Sequence, residues 1–436
     1  MTESWEKFPF GPWKETAVVP GAAPSEQMRT RLGLPRTLRP VEAAGVVQRP
    51  IFDPSVQHHT RAMRLSEPHF TDPDIAARWY AARRDALDCV LAAVAGSPWS
   101  RHLVLRGSVL LRAWFGTAAR EPGDVDFLVV PQDWQLGSER TQEMFDDLGA
   151  RAQAAALDSG IRIRADAAAD DDIWTYSRVP GRRLVLPWTS VTPGVPPGSV
   201  QLDFVFNEAL PEPPVLTEVP RIGRPGPSAD LLTASPQLSL AWKIQWLTTD
   251  SYPEGKDLYD AVLLAEHCRL PAELLRAVTS DELFDAVLRL PNWVSVIEWA
   301  EFGKDYPDLA EELDAFVWRL LVALAPTFAS EMSALYEPLA QRLWRWIEQA
   351  REALTTGGLP ALKTALADYS VSTVELLVLT RESLGSSCSL REAADIVAEL
   401  PEWRGTRSKL RGRVDPHVIA AAMTAGAGAG DASAGE

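Results

Sequence analysis

One stretch constrains the chain more than any other. A short apolar run at residues 102–106 breaks at Gly107-Ser108, a helical pattern follows at 109–115, and a second apolar run opens with Asp124-Val125-Asp126-Phe127-Leu128. A glycine after a strand lets the backbone turn sharply and approach a ligand. Ser108 then opens a helix, where free N–H groups and the helix dipole favour an anion such as phosphate. A serine there also serves as an ordinary cap. Asp124 and Asp126 are two apart in a strand, so they point to one face. Two carboxylates side by side repel unless a cation lies between them, and hard oxygen donors suit Mg²⁺. Asp203 supplies the third carboxylate that a two-metal clamp needs. It sits in Val200-Gln201-Leu202-Asp203-Phe204-Val205-Phe206, where Leu202, Phe204 and Phe206 mark the buried face and Asp203 faces the other way. An aspartate in so apolar a strand is costly unless a cation or an arginine satisfies it.

Around this stretch the pattern divides the chain. Residues 1–66 are rich in Pro, Gly and polar side chains, with little periodicity, and read as an extended N-terminal arm or loosely packed cover. A helix is predicted from Asp72 as cap and Pro73 as first residue to about Ala95. A helix at 138–157 and strands at 161–165 and 200–206 follow from periodicity. Residues 180–198 read as a long Pro- and Gly-rich loop, and 211–227 as a proline-rich connection. From Pro236 onward the pattern is helical, at 238–249, 257–268, 272–290, 308–325, 330–354, 359–367, 371–384 and 389–399. The end, 420–436, is Ala, Gly, Ser and Asp without bulky residues and is predicted disordered. The expected class is α+β. A small mixed-sheet core at 67–210 precedes a connection and helical pair at 211–280 and a helical domain at 281–419.

Composition removes several alternatives. The hydrophobic fraction of 46% is that of a soluble globular chain. No apolar run reaches membrane-spanning length. Nor do the first residues hold a signal-peptide core, so the cytoplasm is the expected location. The 3 cysteines, Cys89, Cys268 and Cys388, are far apart and odd in number, which fits neither a disulfide framework nor a zinc site. No His/Cys cluster has ligand spacing, so any metal must be held by oxygen. A net charge of −16 argues against non-specific coating of nucleic acid. The densest basic stretch, 403–413, reads as a solvated charged segment.

The ordered set of Gly107-Ser108, a helix, Asp124-Val125-Asp126-Phe127 and a later strand aspartate, Asp203, resembles the polymerase-β-like nucleotidyltransferases. Within them it is similar to the AbiEii/AbiGii-type toxin branch. That branch's pattern includes an arginine shortly before Asp-x-Asp-Phe, here Arg120. It also includes a lysine in a later helix, here Lys243 in Leu240-Ala241-Trp242-Lys243-Ile244, and a basic-Asp-x-x-Asp step, here Lys256-Asp257-Leu258-Tyr259-Asp260. The resemblance covers about residues 100–268. It implies an enzyme that moves a nucleoside monophosphate from an NTP to an acceptor hydroxyl and releases pyrophosphate. On that pattern Asp124 and Asp126 bind two Mg²⁺ ions, and Asp203 shares one and helps deprotonate the acceptor. Gly107, Ser108, Arg120 and Lys243 contact the nucleotide, and Lys243 and Asp257 join the catalytic set. The branch also implies a toxin or phage-defence role, an RNA acceptor such as a tRNA end, and a cognate antitoxin. Two other readings stand beside it. One is nucleotidylation of a protein or small molecule. The other is a non-catalytic binding protein of the same fold, against which three intact aspartates count. Two readings of Lys243 also stay open, because Leu240, Ala241, Ile244 and Leu247 form an apolar stripe that leaves it either facing solvent or reaching a triphosphate. Asp257 and Asp260 share a helix face, where they also balance the dipole.

Overall fold

A computed structural model describes residues 4–175, 179–279, 297–369, 371–401 and 415–429. The chain forms two compact units, Met1–Ser235 and Pro236–Glu436. The first holds four short strands, β1 (Val46–Val47), β2 (Pro50–Phe52), β3 (Met63–Leu65) and β4 (His69–Phe70). These pair as β1·β4 and β2·β3. Its main sheet comprises β5 (Leu103–Arg106), β6 (Asp124–Val129), β7 (Ile161–Ile163), β8 (Ala169–Thr175), β9 (Val179–Ser190), β10 (Gly198–Val205), β11 (Val215–Val219) and β12 (Ala229–Thr233). The order is β11-β12-β5-β6-β10-β9-β7, with β8 also on β9. β10 runs parallel to β6, and β12 parallel to β5; the other pairs are antiparallel. The fold is α+β, as the sequence predicts.

Among the described residues this unit has the helices α1 (Glu26–Leu32), α2 (Pro73–Ala95), α3 (Ser108–Phe115) and α4 (Glu139–Ala155). α2 begins where expected, with the Asp72 carboxylate accepting from the Asp74 and Ile75 N–H groups and Pro73 in the first turn. Alternation in β6 and β10 sends Val125, Phe127, Leu202 and Phe204 to one face, against Trp79, Ala86 and Val90 of α2 and Met144, Phe145 and Leu148 of α4. The Phe127 and Phe204 rings stack at 5.6 Å, and Phe145 meets Phe204 at 4.9 Å. Each such buried side chain stabilises the fold by about 1.5–3 kcal/mol. Packing that face leaves the opposite one for Asp124, Asp126 and Asp203.

Three segments differ from expectation. Residues 180–198 are not a loop, because most of them belong to β9. Its prolines sit where a missing N–H breaks no ladder bond. Pro187 lies between the stretches paired to β7 and β8, its carbonyl accepting from Arg164 N at 2.9 Å. Pro180 lies just beyond the last β10 register pair, Val205↔Gly181, and accepts from Phe206 N at 2.9 Å. Within the proline-rich connection 211–227, residues 215–219 form β11 by pairing with β12. At the N-terminus, Trp5, Phe8, Val19, Leu34, Leu38 and Met63 form a small buried cluster of their own.

The second unit is helical throughout its described elements. α5 (Pro236–Thr249), α6 (Gly255–His267) and α7 (Ala272–Val278) come first. Further helices span Trp299–Asp305, Leu313–Leu324, Ala329–Arg342, Trp344–Ala367, Thr373–Leu384, Leu390–Ala398 and Pro416–Ala429. The expected helix at 272–290 is seen as α7, its remainder lying in 280–296, outside the described residues. Gly358, with φ 66°, breaks Trp344–Ala367 near the expected boundary. Reciprocal capping boxes, Ser372 with Glu375 and Ser389 with Glu392, start two helices. The tail predicted as disordered is helical as far as Ala429, where Ile419, Ala420, Ala422 and Met423 are buried. Alanine is the strongest helix former, and tertiary burial supplies the rest. Residues 430–436 and the basic stretch 403–413 lie outside the described residues.

Candidate active site

Strand register sets out a row of charge across the sheet face opposite the α2 and α4 core. Arg106 lies opposite Asp126, Asp126 opposite Asp203, Asp203 opposite Arg183, and Arg183 opposite Asp171. Directly paired residues share a face. Gln201 pairs with Asp124 one step along, which puts the first aspartate on that face too. Carboxylate oxygens of Asp124, Asp126 and Asp203 all lie within 4.8 Å of one another. Asp124 and Asp126 are half-buried, whereas Asp203 is 8% exposed.

Gly107 is required by this geometry twice over. Its φ of +81° is one that L side chains rarely adopt, and a Cβ there would stand 2.1 Å from Asp126 Oδ2. Gly107→Ala is therefore expected to destabilise the fold by about 1–3 kcal/mol, to push Asp126 aside and to remove most activity. Thermal unfolding and turnover check this together, and turnover at the parent level would show that the glycine is not needed. Gly107 also caps α3 without a side-chain hydrogen bond to its first-turn N–H groups. The Ser108 hydroxyl does not cap either. It donates to Asp124, at 3.3 Å from both the carboxylate Oδ1 and the carbonyl oxygen.

Two residues not singled out in the sequence stand behind Asp203. The Arg183 guanidinium donates through Nε to Asp203 Oδ1 and through Nη2 to Asp203 Oδ2, both at 2.9 Å. Its Nη1 donates to Asp53 Oδ2 at 3.0 Å. Burial pushes the Asp203 carboxyl up, while Arg183 pulls it down and the negative charge of Asp124 adds to the rise. For Asp53, burial is outweighed by Arg183 and the Ser55 hydroxyl, which hold its carboxyl below the usual range. Of the two partners expected for Asp203, a cation or an arginine, it has the arginine and lies in the acidic triad as well. Its Oδ1 accepts one bond from Arg183 and keeps lone-pair capacity, whereas Oδ2 accepts from both Arg183 and Gln201. Three converging hard oxygen donors on one face therefore fit a divalent cation such as Mg²⁺. At the other end of the row, Arg106 donates to Glu208 at 2.7 Å. Arg120, half-buried, lies just before β6.

Lys243 and Asp257 belong to the second unit, where they meet each other. Lys243 is only 4% exposed, so it does not face solvent. Its Nζ lies 2.7 Å from Asp257 Oδ1, 2.9 Å from Asp260 Oδ2 and 4.9 Å from the Trp246 ring centre. α5 is apolar on most of its circumference, with Leu238, Leu240, Trp242, Ile244, Trp246 and Leu247 all buried. Such a helix leaves no wet side for a lysine to occupy.

A mixed sheet carrying a Gly-Ser turn, a helix start and an acidic triad across two adjacent strands is the framework of a nucleotidyltransferase. The family model described as "Nucleotidyl transferase AbiEii toxin, Type IV TA system" matches residues 89–350. The chain belongs to this AbiEii nucleotidyltransferase toxin family and is a nucleotidyltransferase. Among solved structures it is similar to MenT4, a nucleotidyltransferase toxin from Mycobacterium tuberculosis H37Rv. That similarity is at 18% identity and a TM-score of 0.30, over 54% of this chain and 73% of that one. No curated protein matches the chain. No described helix is long and apolar enough to cross a membrane.

Proposed function

We propose that the chain transfers a nucleoside monophosphate from an NTP to an acceptor hydroxyl at the site formed by Asp124, Asp126 and Asp203. The observation that carries this reading is the convergence of the three carboxylates within 4.8 Å, beside a glycine that only fits without a Cβ. Asp124, Asp126 and Asp203 would hold a divalent cation such as Mg²⁺, which would supply positive charge to offset the negative charge that develops on the phosphates.

This chain's own residues do the rest. First-turn N–H groups of α3, with Gly107 at its start, bind the phosphates. Arg120 adds positive charge to the nucleotide. Ser108 braces Asp124. The acceptor oxygen bonds to the α-phosphorus as the bond to pyrophosphate breaks, and the acceptor proton passes to Asp203. In the second unit, Lys243 and Asp257 are assigned to the nucleotide and the reaction by the family pattern. Ser108→Ala tests the bracing. It is expected to lower turnover about tenfold while changing stability by about 1 kcal/mol, one neutral hydrogen bond's net value. Thermal unfolding and steady-state kinetics on the same preparation separate the two, and unchanged turnover would reduce Ser108 to a packing residue.

For the acceptor, the family pattern favours RNA, a tRNA end in particular, within a toxin–antitoxin pair whose partner is a cognate antitoxin. An NTP substrate suits the cytoplasm. The net charge of −16 favours a second reading, a protein or small-molecule acceptor. Incubation with α-labelled NTPs and separated RNA and protein fractions of a cell extract decides between them by where the label goes.

A further inference from the structure

Asp203 is held from behind by a chain of charges that begins in the N-terminal segment. Ser55 donates to Asp53 Oδ1 through its N–H at 3.0 Å and its hydroxyl at 2.6 Å. The other Asp53 oxygen accepts from Arg183, which grips both oxygens of Asp203. Gln201 Nε2 adds a bond to Asp203 Oδ2 at 3.2 Å. Asp53, Arg183 and Asp203 are 5%, 8% and 8% exposed, so water does little to screen them. We propose that Asp53 and Arg183 are positioning residues for nucleotidyl transfer, acting on the cation site through Asp203. This rests on the reading that the triad holds a divalent cation.

Both geometry and charge couple Asp53 and Arg183 to the site. A guanidinium fork is planar and rigid, so two parallel bonds fix the plane and rotation of the carboxylate it holds. That fixes how Asp203 presents its remaining lone pair to the triad it forms with Asp124 and Asp126. Positive charge beside a metal ligand would by itself weaken cation binding. Asp53 takes up part of that charge, so the trio of Asp53, Arg183 and Asp203 keeps one net negative charge for the site. Without Asp53, the buried guanidinium keeps both bonds to Asp203 and offsets that carboxylate's charge. The segment before residue 67 is thus part of the active site's electrostatics.

The test uses the full-length, nucleotide-free protein and Mn²⁺, with free Mn²⁺ followed by its electron spin resonance signal. Asp53→Asn preserves shape and an acceptor oxygen while removing the charge. It is expected to weaken Mn²⁺ binding about tenfold, the effect of roughly one unit charge at a partly screened distance. In an Asp203→Asn background the same change is expected to have a clearly smaller effect, since the part transmitted by orienting Asp203 is already lost. Turnover should fall with little change in the Michaelis constant for NTP. Ser55→Ala, a milder change, is expected to shift Mn²⁺ affinity in the same direction by roughly two- to threefold, and it carries the comparison if Asp53→Asn does not fold. Parent-like Mn²⁺ affinity in the folded variants, or an equal loss in both backgrounds, would overturn the proposal and leave Asp53 as a structural clasp. Failure of the parent to bind Mn²⁺, or undiminished binding in Asp124→Asn, would instead overturn the cation reading beneath it.

Discussion

Asp126→Asn is expected to cut nucleotidyl transfer about a thousandfold or more. Charge stabilisation by a bound cation contributes several kcal/mol to such a reaction, and each 1.36 kcal/mol is about tenfold in rate. The same substitution should leave stability unchanged or raise it when no divalent cation is present. Asp126 sits with two other carboxylates within 4.8 Å, and removing one charge relieves that repulsion. Asn also keeps the volume that Gly107 was shaped to admit. Turnover and the melting temperature in chelator check both halves. A variant that loses activity by unfolding would give no support to the metal assignment, and near-normal turnover would remove it.

The second large effect lies in the other unit and concerns stability. Lys243→Ala leaves Asp257 and Asp260 buried without their cation, at 4% and 0% exposed. Breaking a buried pair in this way costs about 3–5 kcal/mol. Asp260→Asn keeps a one-to-one Lys243–Asp257 pair and is expected to cost much less. Thermal unfolding of both variants, with Lys304→Ala as a control at an exposed ion pair, measures the difference. If Lys243→Ala melts like the parent but loses activity, the lysine serves the nucleotide rather than the clasp between α5 and α6.

The legible part of the site was the local part. Residues 102–130 carry strand, turn, helix and strand in one run, and period-two alternation alone put Asp124 and Asp126 opposite Val125 and Phe127. Asp203 was legible for the same reason. Arg183 was not, because Pro180, Pro187 and nearby glycines hid β9; their tolerance depends on which strand edge each missing N–H faces, and that is a matter of pairing. Asp53 lies 130 residues from the arginine it holds, and no periodicity links the two. The stripe left Lys243 open between solvent and a triphosphate, since α5 is buried nearly all round and a helical pattern then marks no outer face; its burial against Asp257 and Asp260 removes the first. The Ser108 hydroxyl, expected at a phosphate or as a cap, bonds to Asp124, a choice of acceptor that spacing does not make.

The central claim is transfer of a nucleotidyl group at the Asp124–Asp126–Asp203 triad. Parallel incubations with α-labelled and γ-labelled NTP, Mg²⁺ and cellular RNA, for the parent and for Asp126→Asn, test it most directly. The account predicts that label from the α position becomes covalently attached to acceptor in the parent alone, that γ label leaves as pyrophosphate, and that chelation of Mg²⁺ abolishes both. Attachment of γ label, or equal attachment of α label by Asp126→Asn, would contradict it.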